Sequence, residues 1–521
     1  MKIRRVLMSV SDKAELVPLA RAFLEVGAEI IATGGTAKTL EEAEIPITPI
    51  EKITGLPEAF QGRMKTLSFH VCSGILYRRG DEKDEADLKK LNILPIDAVV
   101  VNFYPFEKTV EKLGGAVGYG PAELVENIDI GGPTLVRAAA KNAESVLVLT
   151  DPSQYSAVIK ELKQTKSVSL ETATRCARES WTKVSDYDHA IAVELGGLEK
   201  KKLRYGENPH QSASLLFDAN GPLNWGTKLT NQEISYNNIL DLTHAYELTS
   251  ELSKSFPSYS SVVIIKHNNP CGVALISKTE KDAQLTALTR AWEGDPVSAF
   301  GGVLVFNEPL SESSAQFLSE RFVELLAAPG LDEDRTQLDR VLAKRKNLKA
   351  VSVRNFNGFP KSLEIKVPGG ILTQSADHAQ DEQIQSVTQK KLPESQLNLA
   401  LFGIQITKQL KSNAIALVRE IQKGYQLVGA GQGQPNRVEA LKWLAIPRAN
   451  AVLKVTGGQI SDLIMVSDAF FPFRDTVDEA FKEGIRTIVQ PGGSIKDAES
   501  IQACNEHGIT MAFTGRRHFK H

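Results

Sequence analysis

Paired cysteines are missing from this 521-residue chain: Cys72, Cys176, Cys271 and Cys504 stand far apart with no close spacing. That excludes a disulfide framework and a patterned zinc site, and it fits a reducing compartment. An excess of either charge is missing too, with 61 Lys plus Arg against 63 Asp plus Glu. Nucleic-acid binders carry a basic surplus, so any anionic ligand here must be met by a few placed cations. No apolar run reaches the length of a membrane span. The opening MKIRRVLMSVSDK has too short an apolar run for a secretory signal and reads as a buried first strand of a cytoplasmic protein. There is no short-period repeat and no low-complexity tract.

What remains is an average globular composition, 42% hydrophobic and 24% charged, in a chain too long for one core, so at least two domains are expected. Short apolar runs at 3–10, 29–32, 96–104 and 145–150 alternate with helical patterns at 13–26 and 37–43. Unbroken hydrophobicity in such runs predicts a parallel sheet covered on both faces, a doubly wound α/β domain. A long helical pattern over 170–195 closes it, and the charged GGLEKKK at 196–202 marks the boundary. The expected domains are 1–198 and 199–521. The second domain repeats the α/β theme, with strands at 261–266, 302–306, 463–466, 487–489 and 510–513 and helices at 282–292, 313–326, 396–410 and 497–507. The polar stretch 375–395 reads as a surface loop.

Ser9, Ser11 and Lys13 sit where the first strand gives way to a helix, and Thr33-Gly34-Gly35-Thr36 repeats that arrangement after the second strand. Such junctions expose backbone N–H groups and the positive end of a helix dipole, a seat for phosphate. Serine and threonine also cap helices, but two such junctions at neighbouring strand ends favour a ligand pocket. Arg63, Lys65 and Thr66 add two cations and a hydroxyl, Tyr104 ends the strongest strand, and Asp129 precedes Gly131-Gly132, with Arg137 and Lys141 a turn apart beyond.

In order, SVSDK, TGGTA, GRMKTL, NFYPF and NIDIGGPTLVRAAAKN resemble the cyclohydrolase domain of the bifunctional purine-biosynthesis enzyme family, in which phosphoribosylaminoimidazolecarboxamide formyltransferase is joined to inosine monophosphate cyclohydrolase. The resemblance implies a methylglyoxal-synthase-like fold, with Lys65, Tyr104, Asp129 and Lys141 at catalytic positions and Ser9, Ser11, Lys13, Gly35, Arg63 and Thr66 holding the nucleotide. Ring closure has a weakly nucleophilic carboxamide nitrogen attack a formyl carbon. Cations and backbone donors stabilise the oxyanion while a carboxylate takes the amide proton. The family's two usual histidines after GR-x-KTL are replaced by Ser68 and Cys72, and His70 stands one place beyond the family's usual proline. That substitution motivates one alternative, a formyltransferase with an impaired cyclohydrolase site.

In the second domain, Lys266-His267 follows an apolar strand and precedes what reads as an Asn-Pro turn. A lysine beside a loop-borne histidine favours the uncharged base that proton removal needs. RYGENPHQ, SYNNILDL, KHNNPCG, DPVSAFGG, KSNA, SDAFFPFRD, QPGGSIKD and the RHF-x-H end resemble the formyltransferase half of the same family. The implied fold is a tandem of cytidine-deaminase-like subdomains without a catalytic metal. Lys266 and His267 fall at the central catalytic positions, with Asn413 orienting the reactants. Arg204, Tyr205, Arg437 and Arg517 fall at nucleotide positions, where guanidinium forks suit phosphate. Gly301, Glu324 and His521 match further substrate positions, and Phe470, Phe473 and Asp475 a folate and base pocket. The cosubstrate implied is 10-formyltetrahydrofolate, and the assembly a homodimer with transferase sites at its interface. Two other classes compete: a zinc nucleoside deaminase, which lacks its closely spaced ligands here, and a non-catalytic nucleotide sensor.

Overall fold

The computed structural model describes residues 1–113, 122–196, 198–378 and 383–521. These form two compact units, Met1–Lys200 and Lys201–His521. Gly197, in the stretch read as the boundary, and residues 379–382, in the polar stretch, lie outside the described residues.

The first unit is built on β1 (Arg5–Val10), β2 (Glu29–Ala32), β3 (Thr48–Pro49), β4 (Ala98–Asn102) and β5 (Leu147–Leu149). Their order is β3-β2-β1-β4-β5 and every pair is parallel. The pleat explains the unbroken apolar runs. Val6, Met8, Ile30, Val100 and Leu149 enter one core with Phe23 and Tyr155. Leu7, Ile31, Val99, Val101 and Val148 enter another, on the opposite side of the pleat, with Leu135 and Val136. The helix Leu170–Leu195 has the predicted bounds, and Ser169 caps it by accepting from Thr172 N–H at 3.2 Å. The first helix starts late, at Leu16, because Asn102 Oδ1 holds Ser11 N–H at 2.5 Å and Asp12 N–H at 2.8 Å.

The second unit carries β6 (Leu223–Asn224), β7 (Tyr259–Lys266), β8 (Asn269–Ser277), β9 (Val303–Phe306), β10 (Leu325–Pro329), β11 (Lys349–Val353), β12 (Gln385–Ser386), β13 (Ile415–Ile421), β14 (Gly424–Gly431), β15 (Ile464–Ser467), β16 (Thr487–Gln490) and β17 (Thr510–Phe513). They form one 12-stranded sheet, β12-β17-β16-β15-β13-β14-β8-β7-β9-β10-β11-β6. It contains the same arrangement twice, an antiparallel hairpin followed by three strands parallel to one another: β7-β8 with β9, β10 and β11, then β13-β14 with β15, β16 and β17. The copies join through antiparallel β8 and β14. One face packs throughout on the helices Tyr236–Ser255 and Leu397–Gln409. The other divides into two cores, one per copy.

The topology brings Lys266, His267, Gly301, Glu324, Asn413 and Asp468 to one edge, since β7 and β15 end there while β9, β10 and β13 begin there. The predicted helix over 313–326 is corrected. It stops as Glu312–Ser319, and Leu325–Pro329 becomes β10, because pairing with β9 and β11 buries its apolar run. The polar stretch is not all loop either, since Gln385–Ser386 pairs as an edge strand with β17.

Candidate functional site

In the first unit the polar turns converge at the carboxyl ends of β1, β2 and β4. Because β1 lies between β2 and β4, this is the point where strand order reverses and open α/β sheets bind ligands. Ser9 Oγ is 3.1 Å from Thr33 Oγ1. Thr36 Oγ1 accepts from Val10 N–H at 3.0 Å, and the Lys13 ammonium reaches the Val10 carbonyl and Thr36 Oγ1. Burial lowers the Lys13 pKa. Gly34 adopts φ +42°, and a Cβ there would stand 2.6 Å from Lys65 Nζ, so the lysine packs directly on the TGGT turn. Next to Gly35 a Cβ would meet nothing within 4 Å, which leaves open space over the start of the helix Gly34–Glu42. Lys65 also pairs with Glu58 at 2.6 Å, and Arg63 with Glu126.

Thr66 Oγ1 lies 2.8 Å from where a Gly131 Cβ would be, which ties this segment to the Asp129 turn. Asp129 Oδ1 accepts from Gly132 N–H at 2.7 Å, and the Tyr187 hydroxyl accepts from Asp129 N–H at 2.7 Å. Burial pushes the Asp129 carboxyl above the usual range, against backbone donors from Gly132 and Tyr104. Tyr104 is 53% exposed. Lys141 is exposed and is the last residue of the 11-residue helix Gly131–Lys141, which follows the Asp129 turn. Ser68 occupies the N-cap position of the helix Phe69–Leu76, and burial raises the Cys72 thiol.

In the second unit the turn is not Asn-Pro. His267 and Asn268, with φ +50° and +62°, form the two-residue hairpin between β7 and β8. Positive φ at both positions is the type I′ geometry that matches strand twist, a region uncommon for any non-glycine residue. Pro270 is the second residue of the return strand, at a bulge before Gly272. Behind the turn, Lys266 Nζ donates to the Gly301 carbonyl at 2.7 Å. Lys266, His267, Asn269, Cys271, Asp295, Ser298, Gln432 and Arg448 line a cavity of about 220 Å³. Asn413 Nδ2 donates to the carbonyls of Gln434 at 3.0 Å and Pro435 at 2.9 Å, in the loop that continues from Gln432.

The C-terminal residues close the same edge. Ser412 N–H donates to the Lys520 carbonyl at 2.9 Å, and Lys520 N–H to Ser412 Oγ at 3.2 Å. Lys520 Nζ is anchored at 2.9 Å from His244 Nδ1 and 2.6 Å from Gln409 Oε1. Burial takes His244 down to about 4, so the ring is neutral and accepts that bond. Arg517 stands over Phe519 at 4.5 Å, and the His521 ring lies 5.6 Å from the same phenyl.

The remaining predicted residues divide. Arg204 is exposed and stacks on Tyr205 at 5.5 Å. Glu324 is engaged by Lys349 at 2.5 Å and Asn238 at 3.4 Å. Phe473 is 53% exposed with Lys496 Nζ 4.8 Å from its ring, Phe470 is half-buried, and Asp475 opens a helix. The Arg437 guanidinium is buried and donates to Ser467 Oγ at 2.9 Å and to the buried Asp468 carboxylate at 2.9 Å. Sequence reasoning did not single out Asp295, Arg448 or Gln432 as cavity-lining residues, because each lies far along the chain from the KHNNPCG motif and only the sheet order gathers them. Among the described residues no cluster of three or more His, Cys, Asp or Glu is arranged for a metal ion, and no helix is long and apolar enough to cross a membrane.

The sequence profile of the AICARFT/IMPCHase bienzyme family matches residues 139–448, and that of the MGS-like domain matches residues 15–134. The chain is similar to the bifunctional purine biosynthesis protein PurH of Acetivibrio thermocellus, 41% identical over 100% of both chains. It is also similar to that of Aquifex aeolicus, 42% identical over 99% of this chain and 100% of the other. A solved structure described as ForH is 34% identical with a TM-score of 0.33, covering 38% of this chain and 100% of its own.

Proposed function

Because this chain belongs to the AICARFT/IMPCHase bienzyme family, and is therefore a bifunctional formyltransferase and cyclohydrolase of purine biosynthesis, we propose that its two units divide that work between the pockets described above. The second unit formylates the amine of 5-aminoimidazole-4-carboxamide ribonucleotide. The first closes the product to inosine monophosphate with loss of water.

In the transferase, the formyl group is supplied by 10-formyltetrahydrofolate, held against Phe470, Phe473 and Asp475. His267 takes the proton from the attacking amine, whose lone pair is delocalised into the ring. Lys266 and Asn413 face the oxyanion and the departing folate nitrogen. Arg204, Tyr205, Arg437, Arg517 and His521 hold the nucleotide, with Gly301 and Glu324 shaping the floor. The observation that carries this reading is the left-handed turn of His267 at the mouth of a polar cavity shared with Lys266, since strained backbone gathers where function requires it.

In the cyclohydrolase, Ser9, Ser11, Lys13, Gly35, Arg63 and Thr66 seat the phosphate and ribose. Asp129 accepts the carboxamide proton, while Lys65, Lys141 and the Tyr104 hydroxyl meet the formyl oxygen. The chemistry needs only these charges and donors.

The active form is a homodimer. Leu363, Ile365, Val367 and Leu372 belong to the ribbon that pairs Ser362–Val367 with Gly370–Ser375, and all four are exposed. A two-stranded ribbon is marginal alone, and a second copy covers it beside the transferase edge.

The test is coupled turnover by the purified protein with the ribonucleotide and 10-formyltetrahydrofolate, reading tetrahydrofolate and inosine monophosphate together. Both products are expected. Formylated intermediate without inosine monophosphate would leave the first unit a binding domain, and no folate turnover would reject the reading of the second.

A further inference from the structure

The hairpin that presents His267 has no glycine at either central position, although both have positive φ. A contact from outside the hairpin helps to hold it. Asp241, on the helix Tyr236–Ser255, does so: its Oδ1 accepts from Asn268 N–H at 2.6 Å, and the His267 N–H also points to this carboxylate. The aspartate therefore meets successive N–H groups of the turn. Its charge lies close to His267 and Lys266, the titratable groups that face it from the hairpin.

We propose that Asp241 is a positioning residue for formyl transfer, fixing the left-handed turn that aims the His267 imidazole into the cavity. Charged acceptors make the stronger hydrogen bonds to backbone N–H groups, and this half-buried carboxylate is set against the turn by its bond to Asn268 N–H. Removing it frees the turn to relax toward ordinary backbone angles, which swings the imidazole off the attack line without touching the nucleotide contacts.

The inference rests on His267 being the base, and the experiment separates the two. Formyl transfer is measured for wild type, His267→Ala, Asp241→Ala, Asp241→Asn, and Asp241→Ala combined with Asn268→Gly. Cyclisation of supplied formyl intermediate serves as the control for the first unit. Asp241→Ala is expected to lower kcat about 100-fold, the scale of a misplaced catalytic group, with KM within about threefold. Asp241→Asn keeps an acceptor oxygen in place and retains most of the rate. Glycine at 268 adopts positive φ without cost, so the double variant recovers at least about tenfold of the loss. A merely structural aspartate would lower the unfolding midpoint and active fraction without this rescue by glycine.

Full formyl transfer by His267→Ala would sink the catalytic reading itself. A dead His267→Ala beside a fully active Asp241→Ala would overturn only the positioning role. That role is equally overturned if Asp241→Asn is as impaired as Asp241→Ala, or if Asn268→Gly rescues nothing. Should Asp241→Ala fail to fold, the Asp241→Asn and Asp241→Asn/Asn268→Gly pair decides: a rate close to wild type in both supports the turn-holding role, and a loss in either rejects it.

Discussion

Lys266 and Gly301 are fitted to each other: the ammonium donates to the glycine carbonyl at 2.7 Å, and a Cβ on Gly301 would stand 3.2 Å from that nitrogen and 2.9 Å from the Phe322 ring. Gly301 also has φ +68°, where a side chain costs about 1–2 kcal/mol. The glycine thus sets where the Lys266 ammonium rests.

Gly301→Ala should therefore displace Lys266 and cut formyl transfer by about 10- to 100-fold, with cyclisation of supplied formyl intermediate unchanged. Steady-state kinetics of both half-reactions check this. A rate within about twofold of wild type, of the order of ordinary surface changes, would mean the ammonium does not act from that position.

Asp129 makes a pH prediction. Burial raises its folded-state pKa, so the carboxylate form required of a base is lost as pH falls through a value above the ordinary carboxylate pKa of about 3.9. The acid limb of kcat/KM for cyclisation should lie above that value and vanish with the activity in Asp129→Asn. A limb unmoved in Asp129→Asn would assign it to another group.

The buried Arg437–Asp468 pair predicts stability. Asp468→Ala leaves a guanidinium without its counter-charge and should destabilise the second unit by about 3–5 kcal/mol. The double change Arg437→Met with Asp468→Ala should recover part of that loss. Denaturant unfolding followed by a probe in the second unit measures both, and a double variant worse than the sum of the singles would contradict the pairing.

The exposed ribbon predicts assembly. Ile365→Glu with Leu372→Glu places two carboxylates at a directly paired position of the ribbon, which should shift the protein from dimer to monomer in light scattering. Formyl transfer should fall with it while cyclisation persists. A double variant that remains dimeric would put the ribbon outside the interface.

Much of the first unit is legible because its strands are buried on both faces, so short unbroken apolar runs separated by helical patterns have one economical reading. The helix Leu170–Leu195 can be bounded because Ser169 caps it and a glycine follows. The segment 313–326 misleads because its apolar residues suit a helix or a buried strand equally, and only the neighbouring strands β9 and β11 decide. The hairpin at His267-Asn268 is obscured for a related reason. Asn-Pro is a strong local turn signal, but the antiparallel register of β7 and β8 puts Pro270 in the strand.

By itself the sequence determined which chemistry is present: cations, a histidine at the end of a buried strand, a carboxylate before paired glycines, and hydroxyls at strand ends, in segments whose residue types survive any packing. Tertiary structure decided which of them meet. Arg437 looks like Arg204 in a one-dimensional reading, yet one is sealed against Asp468 and the other stands in solvent. Asp129 lies before the helix Gly131–Lys141 and Lys141 is its last residue, so that helix and its packing set their relation. Burial and partner are properties of the folded sheet, set by contacts between residues distant in sequence, so a local pattern cannot carry them.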